Sequence, residues 1–142
     1  MISRVKIKIE SIIDNLDSSG LPDGESEKTV STVDGVYHYS GDGARISYKE
    51  ETDGGKSESE ILVFSDSVKV SRHGAIESIL YFKEGETHAS IYQIPPYRFD
   101  AEVTARRVSI ELSPTDGRIN LVYNMKRMQR EAGCQLWTWK LR

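Results

Sequence analysis

Cysteine is all but missing. Cys134 is the single one in 142 residues, so no disulfide can form within the chain and a Cys/His metal cluster has too few thiolates. That composition fits a reducing compartment. No stretch approaches the ~20 consecutive apolar residues of a membrane-spanning helix. The start, Met1-Ile2-Ser3-Arg4-Val5-Lys6, alternates apolar with polar residues and holds no signal-peptide core. A cytoplasmic protein with no membrane partner is the expectation. An excess of positive charge is also lacking: 19 Lys+Arg against 22 Asp+Glu leave a formal charge of −3. Phosphate neutralisation needs clustered cations, so no nucleic-acid partner is expected. The densest basic region, Lys126, Arg127, Arg130, Lys140 and Arg142, is interrupted by Glu131 and has no apolar helical face, so it reads as solvated surface.

Catalytic and cofactor motifs are absent as well. His38, His73 and His88 lie far apart, with none of the short spacings that place metal ligands on one element. No serine sits in a G-x-S-x-G elbow. Asp53-Gly54-Gly55-Lys56 contains a lysine after glycines but lacks the full phosphate-binding loop and precedes a strand, so it reads as a hairpin turn. No catalytic residue, metal or cofactor is expected. Neither an internal repeat nor a low-complexity tract divides residues 1–142, which read as one domain.

What the chain does contain is two-residue alternation. Val5, Ile7 and Ile9 alternate with Lys6, Lys8 and Glu10, which sets one apolar row on one face of a strand. Ile119, Leu121, Tyr123 and Met125 line one face of a late strand, and Trp137, Trp139 and Leu141 one face of the last. Turn formers punctuate these runs: residues 17–26, Ser40-Gly41-Asp42-Gly43, Ser65-Asp66-Ser67, His73-Gly74, Lys83-Glu84-Gly85-Glu86, Pro95-Pro96, Pro114-Thr115-Asp116-Gly117 and the stretch around Gly133. Residues 17–26 read as the longest and most mobile loop. Asp34-Gly35 resembles a hairpin turn, yet Val33, Tyr37 and Tyr39 keep one parity across it, as a single strand bent at Gly35 requires. The row Phe99, Ala101, Val103, Ala105 resumes on even numbers at Val108, Ile110 and Leu112, which predicts a bulge near Arg106-Arg107. Regular turns and no 3.6-residue period predict an all-β closed antiparallel barrel of about 8–10 strands with little or no helix.

Several stretches in order also resemble a known family. Gly35-Val36-Tyr37, Ile46-Ser47-Tyr48-Lys49-Glu50-Glu51, Arg72-His73-Gly74-Ala75-Ile76, Tyr92 and Gly117-Arg118-Ile119-Asn120-Leu121-Val122-Tyr123-Asn124-Met125 are similar to the YwiB-like proteins, an uncharacterised bacterial family. The resemblance implies a calycin-like, lipocalin-type β-barrel in the bacterial cytoplasm. It implies no activity.

The residues left to carry function are a few carboxylates, Arg72 and the tyrosines. Glu50 ends one strand and Arg72 another, so a barrel can bring them together near one rim. Tyr48, Glu50, Arg72, Tyr92 and Tyr123 are the candidate ligand-binding residues, since inward rings and a cation can line a cavity for a small amphipathic or aromatic ligand. The bland reading is packing, because small barrels can fill their interiors with side chains. An alternative is a protein-interaction or homo-oligomer module with a filled barrel, presenting outward aromatics such as Trp137 and Trp139. An enzyme requires a perturbed Glu or His inside a cavity and ranks third.

Overall fold

The computed structural model describes residues 2–16, 22–52, 55–94, 97–126 and 130–141. The two-residue alternation becomes ten strands: β1 (Ile2–Leu16), β2 (Pro22–Tyr39), β3 (Ala44–Thr52), β4 (Gly55–Val63), β5 (Ser67–Gly74), β6 (Glu77–Lys83), β7 (Thr87–Ile94), β8 (Tyr97–Leu112), β9 (Asp116–Lys126) and β10 (Arg130–Leu141). Each pairs antiparallel with its sequence neighbours, and β1 pairs with β10, so the sheet closes on itself and leaves no edge. No helix occurs among the described residues, hence none long and apolar enough to cross a membrane. Apolar rows face the lumen while Lys6, Lys8, Glu58 and Lys140 face outward and are exposed.

Two features of the wall follow from the parity of the sequence. β2 runs through Asp34-Gly35 without a turn, and Gly35 lies opposite both Val5 and Tyr48. A Cβ at Gly35 would stand 2.5 Å from Ile7 Cδ1 and 2.6 Å from the Ser47 carbonyl oxygen, so the neighbouring strands approach too closely for any side chain. On β8 the register with β9 slips between Ala105 and Arg107. The extra residue lets Ala105 and then Val108 both reach the core side.

Other expectations change. The loop expected over 17–26 is shorter, because β2 begins at Pro22 and pairs back to Leu16, with Ser26 opposite Asp14. Residues 17–21 lie outside the described residues, as do the expected turn at Pro95-Pro96 and part of the one at 53–56. No turn forms at Gly133, which is a strand residue paired with both Ile13 and Tyr123. In both places ladder hydrogen bonds to long neighbouring strands override local turn propensity.

Trp137 and Trp139 are not outward aromatics: they are 2% and 1% exposed. Their rings face the lumen with Ile7, Ile46, Ile61, Val68, Phe82, Val103 and Leu121. Tyr37 meets Trp139 edge to face with ring centroids 5.2 Å apart and donates its hydroxyl to the Ser113 carbonyl at 2.8 Å. This part of the barrel, toward the turns at 40–43, 64–66 and 113–115, is filled with side chains.

Candidate functional site

Toward the opposite end the inward rows change chemistry. On β4 the row that carries Ile61 and Val63 continues as Ser59 and Ser57. On β5 the row Val68, Val70 continues as Arg72, and on β3 Ile46 is followed by Tyr48 and Glu50. β6 adds Ser78, directly opposite Arg72. Ser57, Ser59 and Ser78 are buried, and Glu50 and Arg72 are half-buried. Buried polar groups require hydrogen bonds or solvent, so such a cluster in a lumen either forms a network or meets a polar occupant.

Register brings three of the five candidate residues together. Ser59 pairs with Tyr48 on one side and with Arg72 on the other, and its hydroxyl donates to Glu50 Oε1 at 3.3 Å. Trp137 Nε1 donates to the Tyr48 hydroxyl at 3.1 Å across the lumen. Burial holds the Tyr48 pKa above its ordinary value, and the Glu50 carboxylate adds to that, while the Trp137 hydrogen bond and the Arg72 charge oppose it. Tyr48 therefore stays neutral, its oxygen held by Trp137 and its proton available to an acceptor.

Of the other two candidates, Tyr92 continues the same row by backbone register, beside Ser78, and Tyr123 lies elsewhere. Tyr123 is buried on β9, its ring 5.3 Å from that of Phe82, and forms part of the packed core. Tyr92 pairs with Ser78 and Phe99 on β7, and its side chain lies outside the described residues. Sequence reasoning passed over Ser57, Ser59 and Ser78. The signal was present on β4, where Ser57 and Ser59 share the parity of Ile61 and Val63.

Clefts open around this cluster. One of about 530 Å³ is lined by Gly35, Tyr48, Ser59 and Arg72 among others. A second, of about 470 Å³, reaches Glu50, Ser57 and Gly74 at the rim. A third, of about 950 Å³, meets Arg72 and Ser78 from the side of β6 and β7. Each is an open groove lined for the most part by outward-facing residues of the wall, such as Val36, Lys49 and Glu58, and touches the inward cluster from outside; each exceeds the ~300 Å³ at which small-molecule sites begin. The histidines stand apart from the cluster's polar core. His73 Nδ1 lies 2.9 Å from Glu77 and His88 Nε2 lies 2.9 Å from Glu86. Among the described residues no three His, Cys, Asp or Glu side chains converge as metal ligands would.

Comparison with known proteins agrees on fold and is silent on chemistry. Residues 7–135 match the family described as Domain of unknown function (DUF1934). The "Uncharacterized beta-barrel protein YwiB" of Bacillus subtilis (strain 168) is 24% identical over 121 residues, covering 85% of this chain and 80% of that protein. The crystal structure of the ywiB protein from Bacillus subtilis superimposes with a TM-score of 0.85 at 21% identity, over 99% of this chain and 93% of that one. The barrel is thus an architecture shared with a solved structure, which carries no function by itself.

Proposed function

Because the chain belongs to the DUF1934 family of domains of unknown function, we propose its role from the barrel itself: a non-enzymatic receptor for a small amphipathic ligand. The ligand's polar head engages Arg72, Glu50 and Tyr48, and its apolar part faces the lumen. The observation that carries this reading is the change of polarity along the inward rows, from Ile61, Val68 and Phe82 to Ser59, Arg72 and Ser78. A barrel that needed only a core gains stability from apolar residues at those positions, since burying hydroxyls and a guanidinium costs free energy unless they are used. Arg72 supplies a permanent cation with a planar donor fork, suited to a carboxylate or sulfonate head. Tyr92 stays in this reading by its place beside Ser78 in the ladder, whereas Tyr123, packed against Phe82, is given no contact with the head group.

Anilinonaphthalene sulfonate, an aromatic anion, is a direct probe. We expect saturable 1:1 binding, with emission shifted to the blue, weakened about ten-fold or more by Arg72→Gln, since a charge-assisted contact contributes ~1.5–3 kcal/mol. Equal binding by wild type and Arg72→Gln sinks the assignment of the head group. A homo-oligomer with a filled barrel is the second reading. Its support is no longer the tryptophans but exposed Ile2 and Val36, diagonal neighbours on the outer face of β1 and β2. Light scattering that finds only monomer at every concentration removes it.

A further inference from the structure

Every other hairpin is paired along the described residues to within two residues of its turn; β6 and β7 are not. Their ladder comprises Glu77 with Gln93 and Ser78 with Tyr92, although β6 continues to Lys83 and β7 starts at Thr87. By contrast, β4 and β5 pair without a break from Ser57 with Gly74 to Val63 with Val68. The cause lies at the turn, which docks on β8 at its bulge. Gly85 N–H donates to the Ala105 carbonyl at 2.8 Å, and Ala105 N–H to the Glu86 carbonyl at 3.1 Å. Glu84 Oε1 accepts from the Val108 N–H at 3.1 Å. Pinned at both ends, the two strands part in between.

Side chains close the parted stretch in place of the backbone. The Ser90 hydroxyl donates to the Ile79 carbonyl. Tyr81 and His88 meet edge to face with centroids 4.6 Å apart. The cleft of about 950 Å³ lies over this seam and is open to the outer face: it reaches Arg72 and Ser78 of the inward row, and Ile79 and Ile91 line it beside the acidic Asp100 and Glu102. Ile79 is 58% exposed and Ile91 46%, two apolar side chains flanking a polar interior.

We propose that the β6–β7 wall is a lateral portal through which the ligand reaches the Arg72 end of the lumen. The proposal rests on the binding reading above. Opening the seam breaks one exposed side-chain bond and a ring contact, whereas opening any neighbouring seam breaks a run of ladder hydrogen bonds, so the seam belongs to the low-stability part of the barrel. Ile79 and Ile91 receive the apolar part of an amphipathic molecule on its way to Arg72.

Hydrogen exchange on the intact protein tests the opening without any ligand. Alternate amides of residues 79–83 and 87–91 donate to β5 and β8; the others, which point across the seam, are expected to exchange at least about ten-fold faster than those of 61–63 and 68–70. Equal protection overturns the portal. A second test places Ile79→Cys and Ile91→Cys in a Cys134→Ser background and joins the thiols with a short crosslinker, the uncrosslinked form serving as control. Crosslinking is expected to slow association of anilinonaphthalene sulfonate at least about ten-fold while its equilibrium affinity stays within about two-fold. Unchanged association overturns the portal and leaves the binding reading standing. If the wild type binds no probe at all, the binding reading fails, and hydrogen exchange alone decides whether the seam opens.

Discussion

Replacing Tyr48 by Phe removes one oxygen and preserves the ring, so its cost isolates the hydrogen bond at the floor of the polar cluster. Trp137 donates to that oxygen at 3.1 Å. The two residues are 2% and 4% exposed, too buried for bulk water to replace the lost acceptor. A neutral hydrogen bond contributes ~0.5–1.5 kcal/mol net, but a buried donor left without a partner costs ~1–3 kcal/mol. Tyr48→Phe is therefore expected to destabilise by ~1–3 kcal/mol. Trp137→Phe costs more, because loss of the indole's second ring adds a cavity cost of ~24 cal/mol per Å³. The double variant costs less than the sum, by about 1 kcal/mol, since the second replacement removes a group already orphaned by the first. Urea unfolding at neutral pH, with m unchanged across the set, measures all three. Costs that add within ~0.3 kcal/mol, or a neutral Tyr48→Phe, refute the inference that this bond spans the lumen and supports the cluster.

Alkaline pH probes the filled end. Burial, partly offset by Trp139 and reinforced by Tyr39 and Asp116, pushes the Tyr37 pKa from 10.0 up to about 12. The unfolded chain releases that proton first, so the contribution of Tyr37 to stability is fully present below pH 10 and is lost as pH rises toward 12. Unfolding free energy measured across that window should fall in the wild type and less steeply in Tyr37→Phe; parallel curves would falsify the assignment. Gly117→Ala is expected to destabilise by ~1–3 kcal/mol through overpacking. The new Cβ would stand 2.2 Å from Trp139 Cζ2, and that ring is held edge to face by Tyr37. An unchanged melting temperature shows that the indole moves aside.

Much of the wall can be read from parity. The even–odd switch after Ala105 located the bulge, and the preserved phase across Asp34-Gly35 distinguished a continuous strand from a hairpin. Both work because side chains alternate strictly along a strand, so any change of phase has a structural cause. The site was less legible. Glu50 and Arg72 could be placed near one rim, but Ser59, which bridges them, gave no signal of its own because serine is mostly a surface residue. Tyr123 looked like a pocket residue and is packed against Phe82, since a tyrosine's parity does not say how deep in the lumen it lies.

By itself, the sequence determined a β architecture with apolar rows inward, a strand that runs through Gly35 without a turn and one extra residue near Arg106, all of them consequences of local alternation. Tertiary structure alone decided which strands close on which, that Trp137 and Trp139 lie inside, and that polar inward residues gather at one end. It also decided that β6 and β7 part, because the turn at Gly85 docks on a bulge twenty residues further along the chain. Such long-range hydrogen bonds leave no periodic trace in the sequence, since each depends on where closure of the barrel places the partner strand.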